Sequence, residues 1–362
     1  MKLMDESAIG TIQPFDIIDG FRIIKRIGQG GFGEIYFVRD NAKNIPYAMK
    51  VAFSNKQKIF MDIEYSVMKE IQDSVCFPKL VCNGENKGSS YIVMELLGNS
   101  LSQIRKAQPG KRLGICPVVK TGIKTISILQ SFHNHGFIHR DIKPNNFLHR
   151  PKSDSDICLI DFGLSKRHID PNTGKPHIQS PRSCFVGTLR YASLNAHYQK
   201  DLGRCDDLYS WFLSLIELSH GTLPWSNSTD KNEVSSMKEL LSTQKLCEDL
   251  PSQFLEIYEY IIGLRYHDEP NYSYISSKLV ETLIELRPGD VDDIWEGIPK
   301  VISPVPSPKR RISDTFDADE PMSLSQESLS PPQKYEPKII EHYLLNDEEE
   351  EAERCKCPCC NI

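Results

Sequence analysis

The chain has 362 residues, 39% of them hydrophobic and 25% charged, with a formal net charge of -6. That length suits roughly two domains, the mild acidity gives no reason to expect a nucleic-acid partner, and no apolar run approaches the roughly 20 residues of a bilayer span. Of the 11 cysteines, seven are scattered singly from Cys76 to Cys247 and no signal peptide precedes Gly10, so the body thiols are expected to be reduced and the protein cytoplasmic.

Residues 1–14 read as an N-terminal extension. From Phe15 to Val38 apolar and polar residues alternate around Ile27-Gly28-Gln29-Gly30-Gly31-Phe32-Gly33-Glu34-Ile35. G-x-G-x-x-G alone is a weak signal, because dinucleotide-binding folds use it where a strand turns into a helix. Here the glycines lead into Ile35-Tyr36-Phe37-Val38, aromatic and β-branched, so the stretch predicts a hairpin whose backbone N–H groups can approach phosphates. Tyr47-Ala48-Met49-Lys50-Val51 predicts the next strand, with a lysine that needs a partner if it is buried. Ile59, Phe60, Ile63, Val67, Met68 and Ile71 have helical spacing and put Glu64 beside the apolar stripe, with Asp62 and Glu70 on the solvated face.

Tyr91-Ile92-Val93-Met94-Glu95-Leu96-Leu97 predicts a strand closed by Gly98. A helical period from Val118 to Asn134, through Ile123, Ile126, Leu129, Gln130 and His133, delivers the chain to Ile138-His139-Arg140-Asp141-Ile142-Lys143-Pro144-Asn145-Asn146-Phe147. An apolar run then returns it to Asp161-Phe162-Gly163. A lone Asp in a loop is usually a turn residue or a cap. Two such loops in register make that bland reading improbable; they resemble the catalytic and metal-binding loops of protein kinases, which implies a carboxylate for the attacking hydroxyl (Asp141), a cation for phosphate charge (Lys143) and oxygen ligands for a hard metal ion (Asn146, Asp161).

These loops resemble the H-R-D-x-K-x-x-N and D-F-G motifs of protein kinases. The resemblance implies an α+β, bilobal protein kinase fold: a small β-rich N-lobe over about 15–97 and a larger helical C-lobe over about 98–297. It implies ATP and Mg2+ as cofactors. Residues Ile27 to Ile35 would cover the nucleotide. Lys50, in the place of the phosphate-binding lysine, would pair with Glu64. Backbone groups of Glu95 and Leu97 would read the adenine, with Met94 limiting the back pocket. His139 is read as structural rather than as a base.

Ser193-Leu194-Asn195 stands where most protein kinases carry A-P-E. Together with Gly98-Asn99-Ser100-Leu101, Leu223-Pro224-Trp225 and Glu269-Pro270-Asn271-Tyr272-Ser273-Tyr274, it resembles the casein kinase I superfamily. Gly30 to Tyr36, Tyr191 to His197 and Gly203 to Leu208 look most like its tau-tubulin kinase branch. The resemblance covers Phe15 to Trp295 and implies a monomeric kinase for Ser/Thr sites of proteins, acidic or already phosphorylated. It places Thr188 near Asp141 and Lys143 and has Asp207 brace the catalytic loop; on the residues alone Asp207 reads as an ordinary helix N-cap, and the two readings are compatible. Arg190 would form a substrate anion site; beyond Trp225 only Lys231 remains to help it. The alternative is a phosphate-reading scaffold of the same fold with weak turnover, which the complete set Lys50, Glu64, Asp141, Lys143, Asn146 and Asp161 argues against.

Residues 298–362 read as a disordered tail with Ser303-Pro304, Ser307-Pro308, Ser330-Pro331 and an acidic run from Asp347 to Glu353. Lys309-Arg310-Arg311 reads as a solvated patch, with nuclear import as the alternative. Cys359 and Cys360, in the terminal Cys355, Cys357, Cys359, Cys360 cluster, are candidates for S-acylation and peripheral membrane attachment; a zinc or redox role is the competing reading.

Overall fold

The structure is a computed structural model and describes residues 12–150 and 157–286. The N-terminal extension as far as residue 11, the tail, Cys359 and Cys360 lie outside the described residues, as does the domain boundary expected near 297.

The first lobe is a sheet of β1 (Ile17–Ile18), β2 (Phe21–Gly30), β3 (Gly33–Asp40), β4 (Pro46–Ala52), β5 (Leu80–Asn86) and β6 (Ser89–Glu95), with α1 (Asn55–Glu70) between β4 and β5. Strand order is β1-β2-β3-β4-β6-β5, every neighbour antiparallel. Side chains alternate across a strand, so β4 faces two ways. Met49 and Val51 join Ile23, Tyr36, Val38, Tyr91 and Val93 in one core, and Ala52 joins the core of α1 and the second lobe. Lys50 shares the Ala52 face, which aims it at α1.

Helix α1 is capped by the Ser54 side chain, which accepts from the Gln57 N–H. Its buried stripe is Met61, Glu64, Val67 and Met68, continued by Ile71. This corrects the expected stripe: Ile59 is 51% exposed, and Glu64 lies within the buried face rather than beside it. Inside, the Glu64 carboxylate lies 2.6 Å from the Lys50 ammonium, the partner that a buried charge needs.

The second lobe runs through α2 (Leu101–Ala107), α3 (Ile115–Asn134), β7 (Phe137–Ile138), β8 (Phe147–His149), β9 (Ile157–Leu159), β10 (Lys166–Arg167), α4 (Leu194–His197), α5 (Arg204–His220), α6 (Lys231–Leu240), α7 (Thr243–Leu246), α8 (Ser252–Gly263) and α9 (Tyr272–Glu285). Helix α5 is its axis, buried without interruption from Arg204 to Leu218. Two short pairs, β8 with β9 and β7 with β10, pin the catalytic loop and the start of the following segment. Cys76, Cys82, Cys116, Cys158, Cys205 and Cys247 are free thiols. Cys184 departs from the expected reduced state and is disulfide-bonded. Among the described residues no helix is long and apolar enough to cross a membrane.

Candidate active site

The β2–β3 hairpin closes with Gly30 opposite Gly33, leaving Gly31 and Phe32 at the turn. Gly33 has φ +133°, and a Cβ there would lie 2.2 Å from the Val51 carbonyl oxygen, so only glycine fits where β3 passes β4. Below the hairpin the Lys50 ammonium donates to Glu64 Oε2 at 2.6 Å and to Asp161 Oδ1 at 2.9 Å. Burial works to lower the pKa of Lys50, but Asp161 and Glu64 more than offset it and hold the lysine above its ordinary range, charged at any working pH. Asp161 reaches this position in a left-handed conformation, φ 67° and ψ 68°.

The catalytic loop is fixed from beneath by Asp207 of α5. Its carboxylate accepts the His139 N–H at 2.6 Å, the Arg140 N–H at 2.8 Å and a bond with His133 Nε2 at 2.9 Å. Burial opposes ionisation of Asp207, yet these partners hold its carboxyl below the usual range. The expected cap role falls elsewhere. Gly203 is the N-cap of α5 and Asp206 accepts the Gly203 N–H, because the third helical position, not the fourth, reaches back to the cap. His139 is structural as expected: its Nδ1 accepts the Asp141 N–H, which leaves Nε2 to donate to the Ile160 carbonyl beside the D-F-G loop.

Gly187, at φ +96°, brings the returning segment so close that a Cβ would lie 2.5 Å from the Arg140 carbonyl oxygen. That approach lets Thr188 donate to Asp141 Oδ1 through both its N–H (2.8 Å) and its hydroxyl (2.7 Å). Lys143 Nζ donates to the Thr188 hydroxyl at 2.9 Å and lies 3.1 Å from Asp141 Oδ2. Asn146 Nδ2 donates to the Asp141 carbonyl at 2.8 Å, which turns its own amide oxygen away from the loop. Asp141, Lys143, Asn146 and Thr188 are thus brought together, with Asp161 across from them on Lys50.

The remaining expected residues lie as follows. Met94 pairs with Ala48 across the sheet and Glu95 with Tyr47. Leu97 precedes Gly98, whose N–H donates to the His149 carbonyl. Glu34 turns its carboxylate to Arg26 and Tyr36 rather than into the cleft. Arg190 leans on Glu217 (3.3 Å) and the Ser226 carbonyl (3.3 Å), and Lys231 sits 4.5 Å from the Phe185 ring centroid.

Three groups were missed in the sequence. Arg150 joins the two lobes, donating to Glu95 Oε1 at 2.8 Å and to the Val75 carbonyl at 2.9 Å. Lys238 lies under the segment that follows Thr188 and donates to the carbonyls of Leu189 and Ala192, both at 2.8 Å. Ser193 and Asn195 donate to Asp206 Oδ1 at 2.6 and 3.0 Å, anchoring the segment end on α5. Ser193 and Asn195 stand in the stretch that marks the family resemblance, but their tie to Asp206 is not readable from it; Lys238 falls one helical turn after Val234 on the apolar face of α6.

The arrangement fits magnesium and a nucleotide triphosphate on the chemistry of its donors. Asp161 and Asn146 are two hard oxygens, and magnesium is commonly held by one or two protein oxygens completed by phosphates and water. A glycine hairpin above, a charged lysine on a carboxylate pair and a carboxylate held by a threonine define the site of a protein kinase. The sequence profile of the protein kinase domain matches residues 21–290, and the chain belongs to that family. It is 38% identical over 259 residues to a probable serine/threonine-protein kinase of Dictyostelium discoideum, covering 71% of this chain and 52% of that protein. It is 30% identical over 282 residues to casein kinase I homolog 3 of Schizosaccharomyces pombe, covering 75% of this chain and 64% of that protein. The matched region therefore spans about half to two thirds of these relatives' own length.

Proposed function

We propose that the chain is a serine/threonine protein kinase of casein kinase I type, most like the tau-tubulin branch. It transfers the γ-phosphate of ATP to Ser/Thr hydroxyls of protein substrates. The observation that carries this reading is the joint assembly of Lys50–Glu64–Asp161 and Asp141–Thr188–Lys143 in one cleft. Lys50 would hold nucleotide phosphates, and Asp161 and the Asn146 amide oxygen would hold Mg2+, which neutralises phosphate charge when bound. Asp141, its Oδ1 fixed by Thr188, orients the attacking hydroxyl. Lys143 lies against both and meets the developing negative charge. The scaffold alternative is disfavoured because none of these positions is substituted.

The protein is read as a cytoplasmic monomer, with attachment through Cys359 and Cys360 an alternative. Substrate choice includes a weak preference for sites already phosphorylated. Arg190 is shared with Glu217, so a phosphate there competes with an internal carboxylate. One screened Arg–phosphate contact supports about tenfold or less, since about 1.4 kcal/mol is tenfold in affinity. The experiment uses paired peptides carrying Ser or phosphoserine three residues before a Ser, Thr or Tyr acceptor, with γ-labelled ATP. Transfer to Ser/Thr, about tenfold better at most when primed and salt-sensitive, is expected, with the preference lost in Arg190→Ala. Transfer to Tyr alone, or none, overturns the reading.

A further inference from the structure

Phe32 stands at the tip of a glycine hairpin, where a ring would ordinarily face water, yet it is only 8% exposed. Its ring meets Phe60 of α1 edge to face, centroids 4.7 Å apart. The Lys50 ammonium lies 5.6 Å from the Phe32 centroid. Phe60 is one helical turn before Glu64, and its carbonyl oxygen and Cβ are 3.2 and 3.4 Å from where a side chain on Gly163 would begin. From the helix that carries Glu64, one residue therefore touches both the hairpin and the D-F-G loop.

We infer that Phe32 and Phe60 form an aromatic latch, a pair of positioning residues that couples closure of the β2–β3 hairpin to the inward seat of α1. A hairpin rich in glycine is intrinsically mobile. The ring pair and the cation over the Phe32 face exist only while the hairpin is down and α1 is in, so either departure releases the other. The latch thereby keeps Lys50, Glu64 and Asp161 assembled, and acts on phosphate binding through them. Its bearing on ATP rests on the function proposed above, whereas the coupling itself is readable without nucleotide.

The test is amide hydrogen exchange on the nucleotide-free full chain: wild type, Phe32→Ala, Phe60→Ala, the double variant, Phe60→Tyr, and Phe60→Leu as a volume-keeping variant should alanine unfold the lobe. Phe32→Ala is expected to speed exchange in α1 around Met61 to Glu64. Phe60→Ala, or Phe60→Leu more weakly, is expected to speed it in residues 28–35. Each effect should be about two- to twelvefold, the range an aromatic pair supports. The double variant should be no faster than the faster single one, and Phe60→Tyr should behave as wild type. Effects confined to the mutated element, or multiplying in the double variant, overturn the latch. A second arm measures binding of ATP and of adenosine. Weaker ATP binding in both alanine variants with adenosine unchanged supports the latch, and tighter ATP binding in Phe32→Ala overturns it by making the ring an obstruction. Coupled exchange in a chain that binds no nucleotide supports the latch while refuting the ATP reading.

Discussion

Gly187→Ala is a small change with a calculable effect on Asp141. The new Cβ would lie 2.5 Å from the Arg140 carbonyl oxygen, and ordinary contact begins near 3.4 Å, so the two segments must part by about 0.9 Å. A left-handed backbone adds about 1–2 kcal/mol of strain for a residue with a Cβ. Relief of both moves Thr188 away from Asp141 Oδ1, now held at 2.7 and 2.8 Å. A misplacement of about 1 Å at a reacting group can cost about a hundredfold in rate. The expected outcome is kcat lowered about a hundredfold and KM for ATP changed less than about threefold, because Lys50 and Asp161, the residues proposed to hold the nucleotide and its metal, lie across the cleft. Gly174→Ala is the control: it has φ +66° but nothing within 4 Å of a new Cβ, so it adds strain alone. Steady-state kinetics with ATP and a serine peptide, with melting curves for all three proteins, provide the assay. A folded Gly187→Ala enzyme with wild-type kcat would refute the claim that this close approach positions Asp141.

Asp207→Ala leaves the buried N–H groups of His139 and Arg140 without their acceptor. At about 1–3 kcal/mol for each orphaned donor, the loss is roughly 2–6 kcal/mol, read as a lower urea midpoint. Stability should also depend on His168, which burial and then the charges of Arg204 and His133 press down to about 4. The folded protein keeps this imidazole neutral while the unfolded chain takes up a proton below its ordinary value of 6.5. The contribution is therefore complete above 6.5 and is lost as pH falls toward 4, and His168→Gln should flatten that part of the urea-midpoint curve. His197, pressed down to about 3 by burial, Lys238 and Lys231, adds a parallel slope that persists in the variant.

The parts of the site legible in the sequence are those whose chemistry is carried by short spacing. The glycine hairpin, Lys50 with Glu64, Asp141 with Lys143 and Asn146, and Asp161 all sit on motifs a few residues long, and strand alternation and helical period decide which way they face. Thr188 and Asp207 came from the family resemblance, since nothing local ties either to the catalytic loop. The groups that escaped are long-range pairs between unremarkable residues. Arg150 meets Glu95 and Val75, and Phe32 meets Phe60, only once the lobes are folded. The buried carboxylate of Glu217, which accepts from Tyr191 and lies near both Arg190 and Arg105, belongs to the same class. The α1 stripe differs from the expected one because apolar spacing locates a face only to within a residue or so, and it gives no sign that the Glu64 carboxylate is buried against Lys50.

In the proposed function, Asp141 orients the attacking hydroxyl in a chain that binds ATP with magnesium. Asp141→Asn keeps the size of the side chain and an oxygen for Thr188 to bond while removing the charge. Measured together, magnesium-dependent ATP binding and single-turnover transfer to a serine peptide test that claim most directly. Binding within about threefold of wild type and transfer slowed by about 10²- to 10⁴-fold are expected. Transfer at the wild-type rate by purified Asp141→Asn would contradict that claim.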